Sequence, residues 1–161
     1  MNTIKGFFLA ALLLIPALAM GWQQTGDEDF TLKNNLFEAI ESIDYISLNL
    51  LLAEGAPVDT VDEKGNSPLM LAAKIGNPRI LKIVLANEPE INHTNEAGRT
   101  ALMIASEHGL VSVVESLLRH GARTGHIDGN GNTALTLASK FGYEEVVRLI
   151  QSQPVRPLLA K

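Results

Sequence analysis

Few side chains in this 161-residue chain could do chemistry, and their spacing is unfavourable for it. There is no cysteine, which excludes a thiolate nucleophile, a thiolate metal site, a disulfide and a lipid-modified cysteine anchor. The four histidines are His93, His108, His120 and His126. His93 and His126 lie 33 residues apart, so in a periodic chain they occupy equivalent places on neighbouring units. Stacked helices sit about 8–10 Å apart, an awkward distance for two rings to share one metal, and no third ligand adjoins them. The histidines read as solvent-exposed turn residues. No serine has a His and an Asp at a spacing that suggests a relay. Glu144 and Glu145 could act as paired acids, yet they fall at the start of a predicted helix, where the dipole favours negative charge. The glycines recur as turn glycines and form no phosphate-binding loop after a strand. The residues predict a chain without catalysis, cofactor or metal.

Composition narrows the partners. Thirteen Lys and Arg against eighteen Asp and Glu give a net charge of −5, which argues against a surface devoted to phosphates. Aromatics make up 5% of the chain, too few for a base-stacking platform, so no nucleic-acid partner is expected. The length suits one domain or a short array of repeats.

The hydrophobic residues, 46% of the total, are unevenly placed. In residues 1–20 Lys5 is the only charge, and Phe7 to Ile15 form an unbroken apolar run. Pro16 ends the run and Ala17-Leu18-Ala19 supplies a small-x-small pattern. That order is the n-region, h-region and cleavage site of a secretory signal peptide at 1–19. The 13 residues from Phe7 to Ala19 fall short of the roughly 20 needed to span a bilayer as a helix. Cleavage after Ala19 would leave an exported, acidic protein with no membrane attachment, a short leader at 20–28 and a repeat region at 29–161. The leader's Trp22 is expected to pack on the first unit.

The repeat is visible when the chain is aligned on itself. Asp62-Glu63-Lys64-Gly65-Asn66-Ser67-Pro68-Leu69-Met70 returns as Asn95 to Met103 and again as Asp128 to Thr136, offset by 33 both times. The units run 29–61, 62–94, 95–127 and 128–160. Each reads as two short helices and a turn. Ser67, Thr100 and Thr133 are N-caps, and Pro68 takes the first helical position, where a missing N–H is harmless. Gly76, Gly109 and Gly142 end the first helix in the left-handed conformation. Small residues such as Ala72 and Ala73 give that helix a narrow apolar face. The second helix carries Ile80, Leu81, Ile83, Val84 and Leu85, with matching apolar positions in the later units.

Period, caps and the run Ser67-Pro68-Leu69-Met70-Leu71-Ala72-Ala73 resemble the ankyrin repeat and its T-P-L-H-x-A pattern. The resemblance implies an all-α solenoid of four helix-turn-helix units joined by β-turn or hairpin loops. Some positions depart from the pattern. Met70, Met103 and Thr136 replace the motif's His, so its hydrogen bonding is expected to be missing. Glu88-Pro89 replaces the Gly-Ala that closes the second helix, so that loop should differ in shape. Leu32 and Ile43 stand where glycines belong, as in a degenerate N-terminal cap. Gln151, at the place of Leu118, makes the last unit polar on its outer side, as a terminal cap requires, and Pro154 and Pro157 prevent further helix.

The resemblance also implies function: such stacks bind proteins through the turn tips and the concave side of the first helices. Carried over by position, the tips are Glu63, Lys64, Asn66, Glu96, Ala97, Arg99, Gly129, Asn130 and Asn132. The exposed helix ends are Lys74, Ile75, Glu107, His108, Lys140 and Phe141. Ile75 and Phe141 stand out as apolar side chains at solvent-facing positions. Small exported bacterial members of this type resemble either immunity and self-protection proteins, which block an envelope enzyme such as a peptidoglycan hydrolase, or accessory proteins of a periplasmic catalase. A purely structural envelope adaptor is a third reading. The resemblance therefore implies a periplasmic or secreted monomer that binds another protein, with an acidic cup able to steer a basic partner.

Overall fold

The structure, a computed structural model, describes residues 25–153, which fold into eight helices and no strand among them. The predicted signal peptide, Trp22, Pro154 and Pro157 lie outside the described residues. In chain order the helices are α1 (Thr25–Glu41), α2 (Tyr45–Ala53), α3 (Pro68–Ile75), α4 (Pro78–Leu85), α5 (Ala101–Glu107), α6 (Val111–Arg119), α7 (Ala134–Lys140) and α8 (Glu144–Gln151). They pair as antiparallel hairpins, and α1 begins ahead of residue 29.

Local chemistry sets where these helices start. The Ser67, Thr100 and Thr133 hydroxyls accept hydrogen bonds from the backbone N–H of Met70, Met103 and Thr136 at 3.3, 3.3 and 3.2 Å. Each satisfies one of the four N–H groups that a helix leaves without a partner at its start. The cap is reciprocal in two units, where the side chain at the motif's His position accepts a bond in return. The Ser67 N–H donates to the Met70 sulfur at 3.4 Å, and the Thr133 N–H donates to the Thr136 hydroxyl at 2.7 Å. Asn77 and Asp44 cap α4 and α2 in the same way.

The turn inside each hairpin needs one left-handed residue. Gly76, Gly109 and Gly142 supply it at φ 74°, 66° and 76°, and Ile43 takes the same conformation at φ 57°. The Asp44 N–H then reaches back to the Ala39 carbonyl at 2.9 Å, as the Tyr143 N–H does to Ala138. The first hairpin thus keeps the geometry of the others despite its missing glycine, with strain of about 1–2 kcal/mol. Glu88 behaves likewise at φ 53°, in the place of Gly55 and Gly121. Its N–H donates to Leu85 as theirs donate to Leu52 and Leu118. Contrary to expectation, this loop follows its counterparts; what it loses is the next hydrogen bond, because Pro89 has no N–H.

A single core runs the length of the stack. Leu36, Ile40, Leu48, Leu69, Met70, Ile80, Leu81, Leu102, Met103 and Leu117 are wholly buried, each stabilising by about 1.5–3 kcal/mol. Ala72, Ala73, Ala105 and Ala138 have no exposed surface, which lets the first helices approach closely. Contacts along the row α1–α3–α5–α7 are more extensive than along α2–α4–α6–α8. The first helices thus form the more closely packed row.

Candidate protein-binding surface

The turns at 62–66, 95–99 and 128–132 project in a row, and each is built around one side chain. The Asp62 carboxylate accepts from the Lys64 and Asn66 N–H groups, both at 2.8 Å, and from the Asn66 amide at 2.9 Å. Asn95 accepts from Ala97 and Arg99 at 3.1 and 2.9 Å, and Asp128 from Asn130 and Asn132 at 2.9 and 2.8 Å. Partial burial pushes the Asp62 carboxyl up, but these hydrogen bonds outweigh it and hold the group below the usual carboxylate range. The backbone hydrogen bond from Asn132 does most to hold Asp128 low, with the positive Arg99 contributing.

The turns also bond to one another. The Glu96 N–H donates to the Lys64 carbonyl at 3.3 Å and the Gly129 N–H to the Ala97 carbonyl at 2.9 Å. The Asn95 amide donates to the Asn66 side-chain oxygen at 2.8 Å, and His93 Nε2 lies 2.8 Å from the Gly65 carbonyl. His93 and His126 are half-buried rather than solvent-exposed, and His126 Nε2 is buried with no hydrogen-bond partner. The missed signal is the position itself: a side chain just ahead of one turn packs under the preceding turn. His108 and His120 are exposed, each with Nδ1 against the carbonyl four residues earlier.

The structure separates the residues predicted for partner contact into three groups. Glu63, Lys64, Glu96, Ala97, Gly129 and Asn130 are exposed on the turns, and Lys74, His108, Lys140 and Phe141 at the inner-helix ends. Asn66 and Asn132 are half-buried, their amides committed to the turns. Ile75 is not a free apolar side chain, because it packs half-buried against the core. Arg99 is not a free tip either. Its guanidinium forms an ion pair with Glu107, and these side chains are 24% and 27% exposed.

Lys74, Glu107 and Lys140 occupy equivalent places on α3, α5 and α7. With Glu107 taken up by Arg99, Lys74 and Lys140 are the free charges on these three helices, and the exposed Glu41 takes the same place on α1. The cup floor therefore carries charge of both signs, and Glu63 and Glu96 put negative charge on its rim. At the C-terminal end Phe141 is 49% exposed, with Lys140 Nζ 5.6 Å from its ring centre and the Tyr143 ring 6.4 Å away. An aromatic beside a cation and a phenol is a well-suited protein contact.

A family model for ankyrin repeats, in three copies, matches residues 36–128 and 80–157, and so spans α2 to α8 fully and only the last third of α1. The chain belongs to the ankyrin-repeat family. Comparison with curated proteins gives no match. Ankyrin stacks are protein–protein interaction modules and in general non-catalytic. Among the described residues of this stack, no group of three or more His, Asp or Glu is placed to hold a metal ion, and no helix is long and apolar enough to cross a membrane.

Proposed function

We propose that this ankyrin stack is an exported, non-catalytic inhibitor that grips an envelope enzyme such as a peptidoglycan hydrolase and protects its producer from it. The observation that carries the reading is the inner-helix line itself: Lys74, the Arg99–Glu107 pair, Lys140 and Phe141 are presented side by side on well-packed helices. Such a surface is preorganised, so docking orders little that was loose beforehand. The apolar run Phe7–Ile15 followed by Ala17-Leu18-Ala19 supports export to the periplasm.

Affinity purification of the mature protein from its own periplasm, with mass spectrometry of what co-elutes, tests the proposal. A peptidoglycan hydrolase whose activity falls on adding the protein would support it. Recovery of a catalase would replace it with the accessory reading, and an intact mass retaining residues 1–19 would remove the periplasmic setting. Phe141→Ala should weaken the recovered complex by about 2 kcal/mol, in the hot-spot range, while leaving thermal unfolding unchanged.

A further inference from the structure

The net charge of this chain is concentrated at one end of it. Between Asn34 and Glu63 there are seven carboxylates and no Lys, Arg or His, so the segment carries −7 while the rest of the chain carries +2. Glu38, Glu41, Asp44 and Glu54 are all exposed there, and among the described residues no cation forms a salt bridge with any of them.

The same end presents unpaired apolar surface. Ile46 and Leu50, one turn apart on α2, are 82% and 56% exposed, with Ile43 half-exposed just ahead of the helix. The repeat provides an internal control. At the place of Ile46 the other second helices carry Arg79, Ser112 and Glu145, all exposed and all polar. At the place of Leu50 they carry Ile83 and Leu149, which pack against the core, and Ser116. The first pair alone turns large apolar side chains outward here. Beside them a shallow groove of about 290 Å³ runs between α1 and α2, with Ala39 and Leu51 in its lining and Glu38, Asp44 and Leu50 at its sides.

We infer that this end of the stack is a second interaction surface, adjoining the cup at Glu41 and centred on α2, which docks a basic amphipathic segment of another protein. Apolar side chains of that segment cover Ile46 and Leu50, and its Lys or Arg residues meet Glu38, Glu41, Asp44 and Glu54. Charge selects this occupant. A second copy would bring the same carboxylates face to face, and an anionic lipid surface would be repelled as well.

The probe is a synthetic amphipathic Leu/Lys helix titrated into the 15N-labelled mature protein, beside a Leu/Glu helix of the same pattern. The Lys peptide should shift α1 and α2 amides, and added salt should weaken it. Ile46→Ser with Leu50→Ser, which installs what the third pair carries as Ser112 and Ser116, should cut affinity about tenfold or more. Glu38→Gln with Glu41→Gln and Glu54→Gln, which touches no buried group, should lower both affinity and its salt dependence. The inference fails if the Lys peptide does not bind or shifts amides elsewhere, if both peptides bind alike, or if neither variant matters. It also fails if sedimentation shows a dimer that the double serine variant dissolves, which would make a second copy the occupant. A shift in Trp22 emission on that double substitution, without peptide, would assign the surface to the chain's own N-terminal segment.

Discussion

Arg99, just ahead of the N-cap of α5, and Glu107, the last residue of α5, pair across the concave side of the third hairpin. The equivalent positions in the flanking hairpins are Asn66 with Lys74 and Asn132 with Lys140; in the first hairpin they are Lys33 and Glu41, which form no salt bridge, so among the described residues the pairing occurs once. Arg99 also lowers the Asp128 carboxyl on the next turn. It therefore ties one helix internally while attracting the turn beyond.

That arrangement predicts coupling between the two side chains. Alanine at Arg99 and at Glu107, singly and together, should give an interaction energy of about 1 kcal/mol in urea unfolding, as for a well-formed, partly shielded pair. Arg99→Glu should destabilise more than Arg99→Ala, because it sets a carboxylate against both Glu107 and Asp128. Additive single substitutions would show that the pair contributes nothing.

Gly109 and Gly142 share a backbone conformation but have different surroundings. A Cβ on Gly109 would meet the Tyr143 ring at 2.5 Å, whereas one on Gly142 meets nothing within 4 Å. Gly142→Ala should lose about 1–2 kcal/mol from the left-handed conformation alone. Gly109→Ala should lose about 1–3 kcal/mol beyond that through overpacking, and pairing it with Tyr143→Ala should recover the excess. Equal losses in thermal unfolding would rule out the steric part.

Glu88 holds a left-handed conformation while exposed, in a place where the other two loops use glycine. Glu88→Gly should therefore raise stability by about 0.5–1 kcal/mol, the relief of strain exceeding the added freedom of the unfolded chain. A lower urea midpoint for the variant would contradict this.

Asp44, Asp62 and Asp128 all have folded-state carboxyls held below the ordinary value, in Asp44 chiefly by the Ser47 hydroxyl. Groups lowered by folding stabilise the protein above their unfolded value of about 4 and lose that contribution as the pH falls through the folded value. Unfolding midpoints should be level near neutrality and drop below about pH 4. Asp62→Asn should shallow the drop, since Asn95 already organises a turn with an uncharged oxygen. An unchanged pH profile in that variant would contradict the assignment.

Most of the fold was legible in the sequence because it depends on residue types with local duties. Ser67, Thr100 and Thr133 cap helices through neighbouring N–H groups, and Gly76, Gly109 and Gly142 turn the chain. The loop at Glu88 was misread because neighbouring packing and hydrogen bonds can force a left-handed turn on a side chain that disfavours it, as they do at Ile43. The site was less legible. Whether Arg99 is free depends on Glu107, eight residues away on another stretch of backbone, and whether Ile75 is exposed depends on core neighbours. Such facts arise from how side chains meet in the folded chain, within a unit as well as between units, where a one-dimensional pattern carries little signal.

The turns are joined unequally. Three hydrogen bonds link the first turn to the second, through Glu96 to Lys64, Asn95 to Asn66 and His93 to Gly65. The third turn receives one from the second, Gly129 to Ala97, together with the pull of Arg99 on Asp128. Along this edge the molecule is a spring with one stiff joint and one soft joint. The stiff joint rests on direct hydrogen bonds, while the soft joint leans on an attraction that salt screens. Pulled from its C-terminal end, the stack should yield first at α7 and α8, and at lower force in brine than in dilute buffer.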